Sequence, residues 1–281
     1  MNHTLGTGIT KFLIVTLYEL LLLAIAALAT ISLLDIVSRT CDRLIVKLCG
    51  TTGYLAATAI STVIHEVSHA VLCVLFNHRI ERMALFSFDP ATGRCGYVIH
   101  QWDTKSLYQK AGNFFIGIAP VIAGIPLLFI WGAACGIHSD IRWGSRVVLS
   151  HALHRAAPDV IRYVFAPLVN GFVSVFTGDN IRNPYFYLYL PAAFLVSRGM
   201  APSLQDMKGC MTGVTAVIFF VFIINGIMAF VGRDPWRLAE MIIGSLSAAL
   251  HLVGTALAVN IFFMVIILLL QVFLKRGHVT R

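Results

Sequence analysis

Charged residues are scarce in this sequence. Asp, Glu, Lys and Arg together make up 12% of its 281 residues, whereas soluble domains carry about 25%. Apolar residues make up 58%, and several uninterrupted apolar stretches are long enough to cross a bilayer. No segment outside these stretches is long enough for a second, soluble domain with its own core. The composition therefore excludes an ordinary soluble protein. It predicts one membrane-embedded domain over residues 1–281, integral to the bilayer and multi-pass.

Paired cysteines are also missing. The six cysteines are scattered without a C-x-x-C pair, which excludes a zinc ribbon or a thioredoxin-like motif. The net charge of +8 does not indicate nucleic acid, because Lys and Arg in a membrane protein gather in short loops and set its orientation. Several loops are basic, so the orientation stays open, as does the oligomeric state. We expect the lipid bilayer, and no nucleic acid, around this chain.

The apolar stretches predict an all-α integral membrane protein with five or six transmembrane helices. The clearest stretches cover residues 12–34, 51–76, 113–135, 207–231 and 241–274. Residues 160–176 either cross the bilayer or lie in its interface, and residues 185–196 are aromatic but too short to cross confidently. Strand-like runs at 80–88 and 94–101 flank a turn at 89–93, which predicts a small β-hairpin between the second and third helices.

The second predicted span contains the sequence His65-Glu66-Val67-Ser68-His69. In a helix, two histidines four residues apart lie on the same face, so both can bind one Zn²⁺ ion. Glu66 is next to the first ligand, where its carboxylate can accept a proton from the water that attacks a peptide carbonyl. Shuffling this composition would produce the motif only about 0.005 times per chain. The motif predicts a zinc metalloprotease with His65 and His69 as ligands and Glu66 as catalytic base.

The depth of the motif supports a metal. With a rise of 1.5 Å per residue, His65 lies roughly 21 Å along the helix from Thr51 and roughly 18 Å from Asn77. Ionisable side chains near mid-bilayer are costly and need a partner or a metal. Two alternatives stay open: a transporter or channel that uses the histidines to pass metal or protons, and a zinc-binding membrane protein without proteolytic activity. Glu66 argues against the second alternative, because a structural zinc site needs no unligated carboxylate.

A catalytic zinc requires a third protein ligand. Cys73 shares the helix face, but eight residues separate it from His65, about 12 Å along the axis, which is too far for one ion. Asp206 is our candidate, because it precedes an apolar helix that contains no other acid. Ser203 and Asp206 also match a capping box, which is the alternative explanation of this carboxylate.

Asp159 is the second candidate for the third ligand. With His151 and His154 it could form a separate metal site, but neighbouring arginines favour a solvated helix there. The sequence predicts structural or surface roles for three other histidines, His100, His138 and His251. Glu19, the only charged residue in the first span, could be paired with a basic group, which the sequence does not identify.

Three features resemble the site-2 protease family of intramembrane zinc metalloproteases. They are the histidine motif in a hydrophobic helix, the hairpin-like loop ending in Cys95-Gly-Tyr-Val, and Gly112-Asn-Phe-Phe-Ile-Gly-Ile-Ala-Pro120 at the start of the next span. The resemblance covers residues 51–125, and more weakly 200–215. It implies a zinc-binding core over about residues 51–215 and cleavage of a membrane-anchored protein substrate in or near the bilayer.

The same resemblance implies that an aspartate from a later helix completes the zinc site, usually in an Asp-Gly pair. Asp206 is the counterpart here, although Met207 follows it and the next glycine is Gly209. No inserted PDZ-like domain is evident in the sequence. Any control of substrate entry must therefore work differently from family members that carry such a domain.

Hydrolysis inside a bilayer requires a polar cavity that admits water to His65. Four hydroxyl side chains of the same helix could line it: Thr58, Ser61, Thr62 and Ser68. An edge of the hairpin could bind an unwound substrate segment by strand addition. Asn113 could orient the substrate or stabilise the oxyanion, and the alternative is that Asn113 is a helix N-cap.

Overall fold

The computed structural model describes residues 2–91, 93, 95–139, 158–232 and 235–279. These residues form a helical protein with one two-stranded antiparallel sheet. In chain order the elements are α1 (Asn2–Leu75), β1 (Arg79–Ala84), β2 (Tyr97–Gln101), α2 (Leu107–Gly117), α3 (Ala119–Ala134), α4 (Pro158–Ser174), α5 (Gly178–Arg182), α6 (Phe186–Gly199), α7 (Leu204–Phe230) and α8 (Pro235–Val279).

Helix α1 consists of two helices joined at Gly50. The backbone there has φ 67° and ψ −175°, a conformation essentially confined to glycine. The polar stretch before Gly50 continues the first helix, and Arg39 pairs with Asp35 one turn earlier at 2.6 Å. The histidine motif lies in the second part of α1, which therefore has its own direction relative to the first.

Three of the described helices are long and apolar enough to cross a membrane. They cover Phe12–Leu75, Leu204–Phe230 and Met241–Leu274. A fourth candidate is the pair Leu107–Gly117 and Ala119–Ala134, which is bent by 58°. Three to four candidate spans among the described residues are consistent with the prediction of a helical membrane protein.

The predicted hairpin is present, with strands shorter than expected. β1 covers Arg79–Ala84 and pairs in antiparallel register with β2, Tyr97–Gln101, with an irregularity between Ile80 and Arg82. His100 lies opposite Ile80. Because the sheet has only two strands among the described residues, β2 keeps one edge without a strand partner. The hairpin joins the motif helix to α2, so its position relative to the motif matters for function.

Small residues allow α2 and α7 to approach closely. A Cβ atom on Gly117 would lie 2.5 Å from the carbonyl oxygen of Asp206 and 2.6 Å from Cβ of Cys210. A Cβ on Gly213 would overlap the backbone of Phe114. Helices in membranes use such small side chains to bring their backbones together. This contact positions the first turn of α7, which carries Asp206.

Glu19 is buried at the interface of α1 and α7, and its identified partner is not a basic group. The amide Nδ2 of Asn225 donates to Glu19 Oε2 at 2.5 Å and to Thr16 Oγ1 at 3.1 Å. An amide can satisfy a carboxyl group without adding a charge to the bilayer interior. This polar contact joins the first and the seventh helix.

Candidate metal centre

Three predicted ligands meet at one point. His65 and His69 lie on the second part of α1, and Asp206 lies in the first turn of α7. The two Nε2 atoms are 3.2 Å apart, and each lies 3.3 Å from one carboxylate oxygen of Asp206. Zinc bonded tetrahedrally at 2.0–2.1 Å would separate its ligand atoms by about 3.3–3.4 Å. The donor set and its spacing therefore fit a zinc ion.

Backbone carbonyls fix the orientation of both imidazole rings. His65 Nδ1 lies 2.9 Å from the carbonyl oxygen of Gly199, and His69 Nδ1 lies 2.8 Å from that of Ile116. A carbonyl oxygen only accepts, so each Nδ1 carries a proton, and the neutral form of each ring directs an Nε2 lone pair at the other. Facing lone pairs beside a carboxylate repel each other unless a cation lies among them. Nδ1 bonds of this kind typically orient histidine ligands of metals.

The carboxylate of Asp206 combines the two functions that the sequence left as alternatives. The N–H of Ser203 donates to Asp206 Oδ2 at 2.6 Å, and the N–H of Asp206 donates to Ser203 Oγ at 3.2 Å. These bonds form the predicted capping box. Because the same carboxylate faces both imidazoles, the cap holds it in the orientation that metal binding requires.

The remaining candidate ligands are not in this cluster. Cys73 is buried on α1 and does not belong to the group that could hold a metal among the described residues. Asp159 lies in the first turn of α4, and nothing is described of its side chain. His151 and His154 lie outside the described residues. The geometry thus brings together Asp206, and not Cys73, with the two histidines.

Glu66 is buried beside the ligands and lies under the hairpin. A Cβ atom on Gly96 would lie 2.7 Å from Cγ of Glu66 and 3.0 Å from its Oε1. Only glycine allows the hairpin to come this close to the carboxylate without displacing it. The hairpin therefore restricts the space around the predicted catalytic base.

A cavity of about 620 Å³, with many polar side chains in its wall, contains the cluster. It is bounded by α1, the hairpin, α2 and α6, and by the start of α7. Thr58, Ser61 and Thr62 line it as predicted. Ser68 is not among the lining residues, and its hydroxyl donates to the carbonyl of Ile64 at 2.6 Å. All four residues 97–100 of β2 also border the cavity, so an extended ligand could lie along this strand.

Asn113 is not a helix N-cap. Ser106 caps α2, with its hydroxyl accepting from the N–H of Gln109 at 3.3 Å. Asn113 lies well inside this helix, is buried, and borders the cavity. Its side-chain Nδ2 has no hydrogen-bond partner among the described residues. Asn113 is therefore a buried polar side chain at the cavity wall whose amide nitrogen is unpaired among the described residues.

Two features of the cavity were not predicted. Arg198 of α6 is buried and forms an ion pair with Asp42 of α1, and both residues line the cavity. His100, expected to be structural or at the surface, also lines it. Arg198 and Asp42 are separated by 156 residues, so no local pattern could reveal their pairing. For His100, the alternation of the strand was a signal that one face of β2 points inward.

No family model matches this chain, and no curated protein or solved structure matches it either. The resemblance to the site-2 protease family therefore rests on the three sequence features alone. The geometry of the three candidate ligands is a property of the chain itself and does not depend on that resemblance.

Proposed function

We propose that the protein is a membrane-embedded zinc endopeptidase, similar to site-2 proteases, that cleaves membrane-anchored proteins. The observation that carries the proposal is the triangle of two histidine Nε2 atoms and one carboxylate, with spacings of 3.2–3.3 Å. A buried glutamate lies next to this triangle within a polar cavity. A transporter or a structural zinc site would not require that glutamate.

Each side chain has a role in this proposal. Zinc held by His65, His69 and Asp206 would supply a Lewis acid that polarises a peptide carbonyl and lowers the pKa of water. Glu66 accepts the proton of the attacking water and transfers it to the departing amine. Asn113 donates its free amide hydrogen to the developing oxyanion.

The hairpin provides a binding edge for the substrate. A transmembrane helix conceals its carbonyls in hydrogen bonds, so a segment must be extended before water can attack it. An extended segment can pair with the free edge of β2, which borders the cavity. Residues 97–100 then hold the segment within reach of the polar groups of α1.

We further propose a single multi-pass domain with five or six crossings and its zinc core at about residues 51–215. The break at Gly50 lets α1 supply two crossings, since residues 51–75 alone extend about 37 Å as a helix. The bent pair of α2 and α3, together with α7 and α8, would supply three more.

Purified full-length protein tests this proposal directly. Metal content is measured in the wild type, Glu66→Gln and His65→Ala, and cleavage is measured on single-pass transmembrane peptides that contain a central Asn-Pro pair. We expect one zinc per chain in the wild type and in Glu66→Gln. We expect none in His65→Ala, and cleavage at least about 100-fold slower in Glu66→Gln.

The alternatives give different results in the same experiment. Zinc binding without Glu66-dependent cleavage would indicate a non-proteolytic zinc protein. Metal or proton flux in reconstituted vesicles, without cleavage, would indicate a transporter. A wild-type protein that binds no zinc would overturn the proposal.

A further inference from the structure

A second pair of histidines forms a directional chain of hydrogen bonds beside the cavity. His78 Nε2 lies 2.8 Å from the carbonyl oxygen of Gln109, and His78 Nδ1 lies 3.0 Å from Nδ1 of His100. The carbonyl oxygen only accepts, so His78 carries its proton on Nε2. Nδ1 of neutral His78 is then an acceptor, and the proton between the two rings belongs to His100. Neutral His100 therefore has a bare lone pair on Nε2.

Both rings are neutral at neutral pH. Burial lowers the pKa of His78, which is 5% exposed and stacks on Trp102 with the ring planes 15° apart. The pKa of His100 is lowered to about 4, first by burial and then by the proximity of His78 and His69. The order of donors and acceptors deduced above thus holds over the physiological pH range.

His100 borders the space in which a ligand would lie. His100 is half-buried on β2, while its neighbour Ile99 is 48% exposed. Both residues border the cavity that contains Glu66. Among the described residues no hydrogen bond involves Nε2 of His100, and His100 does not belong to the metal-binding group. A fixed acceptor in this position selects a ligand that brings a donor.

We propose that His100 is a substrate-binding residue whose Nε2 accepts a hydrogen bond from a backbone N–H of the polypeptide in the cavity. This inference rests on the proposed function and specifies how its substrate is recognised. Backbone N–H groups are the donors that every extended polypeptide offers. Within a cavity these groups lose their bonds to water, which costs free energy unless an acceptor of the protein takes the place of the water. The free edge of β2 beside His100 favours an extended ligand of this kind.

Two substitutions test the Nε2 acceptor of His100 independently of the rest of its side chain. His100→Asn keeps an N–H close to the position of Nδ1, and so its bond to His78, but it has no acceptor at Nε2. His100→Gln restores an oxygen near the position of Nε2. Gln101→Ala is the matched control, because Gln101 is the next residue of the strand, is exposed and does not line the cavity.

Binding is measured by fluorescence anisotropy on the full chain carrying Glu66→Gln, with a fluorescein-labelled single-pass peptide containing a central Asn-Pro pair. The peptide is prepared as an all-amide chain and as a series in which an ester oxygen replaces one backbone N–H at a time. We expect His100→Asn to weaken binding of the all-amide peptide about 3- to 10-fold. His100→Gln should recover part of this loss, and Gln101→Ala should have no effect.

One ester peptide, the one that lacks the N–H bound by His100, should bind the wild-type side chain about as weakly as the all-amide peptide binds His100→Asn. His100→Asn should cause no further loss of binding with that ester peptide, because the hydrogen bond is already absent. A structural role for His100 would instead weaken every peptide equally, which would overturn the inference. Failure of the wild type to bind zinc or to show Glu66-dependent cleavage refutes the proposed enzyme. The comparison of His100 variants and ester peptides tests the role of His100 separately, because it measures binding and not cleavage. A peptide series that does not bind at all would overturn both proposals.

Discussion

The approach of α2 to α7 provides a test of the third ligand without altering any ligand. A Cβ atom on Gly117 would lie 2.5 Å from the carbonyl oxygen of Asp206 and 2.8 Å from the backbone nitrogen of Cys210. These are backbone atoms of a helix and cannot rotate away. Since ordinary contacts begin near 3.5 Å, Gly117→Ala must push the first turn of α7 back by about 1 Å.

Such a displacement is large for a metal site. Ligand distances in zinc sites hold to within about 0.2 Å, so the carboxylate of Asp206 would no longer reach an ion bound to both imidazoles. We expect Gly117→Ala to weaken zinc binding about 10- to 100-fold, as loss of supporting contacts does in other zinc sites. This corresponds to about 1.4–2.7 kcal/mol. The zinc dissociation constant is measured by competition with a chelator at fixed pH.

Gly209→Ala is the matched control, because it makes the same glycine-to-alanine change on α7, three residues after Asp206. A Cβ at Gly209 meets nothing within 4 Å, and alanine favours the helix more than glycine does. Gly209→Ala should therefore bind zinc like the wild type. The reasoning is refuted if a folded Gly117→Ala protein, verified by circular dichroism, has the same zinc affinity as Gly209→Ala.

Two further predictions concern the hairpin. Gly96→Ala should leave zinc content unchanged and slow peptide cleavage about 100-fold, because its Cβ would lie 2.7 Å from Cγ of Glu66; equal cleavage rates would contradict this placement. The buried histidine pair should make stability pH-dependent: the folded pKa values of His78 and His100 lie below the unfolded value of about 6.5. Stability is then complete above that pH and declines as the pH falls towards 4, because the unfolded chain takes up protons first. Thermal unfolding of chelator-treated protein at pH 7.5 and pH 5 measures this loss of stability, which should be smaller in His100→Gln than in the wild type. Identical losses in the wild type and His100→Gln would contradict this prediction.

The hairpin and the histidine motif were predictable because both depend on local periodicity. Alternation over 80–88 and 94–101 predicted strands that the structure confirms at Arg79–Ala84 and Tyr97–Gln101. A helix places residues four apart on one face, so the meeting of His65 with His69 followed from the motif alone. The selection of Asp206 used the scarcity of acids at membrane depth, and the structure brings that residue to both imidazoles.

Other expectations from the sequence failed. The sequence left Asn113 either as a substrate or oxyanion residue or as a helix N-cap. The helix begins earlier, at Leu107 after Ser106, so Asn113 is not the N-cap. Ser68 was expected to line the cavity and is not among its lining residues. The identified partner of Glu19 is Asn225, 206 residues away, rather than a basic group. No local pattern encodes the contact between Glu19 and Asn225.

The sequence by itself determined a helical chain with segments apolar enough to cross a membrane, and the identity of the chemical groups, since composition and helical periodicity are local properties. Tertiary structure decided how those groups are arranged. The carbonyls that orient the imidazoles come from Gly199 and Ile116, 134 and 47 residues distant from the rings they hold. The glycine contact that places Asp206 belongs to another helix. Packing among distant segments controls the direction of each lone pair, and only the folded chain establishes that packing.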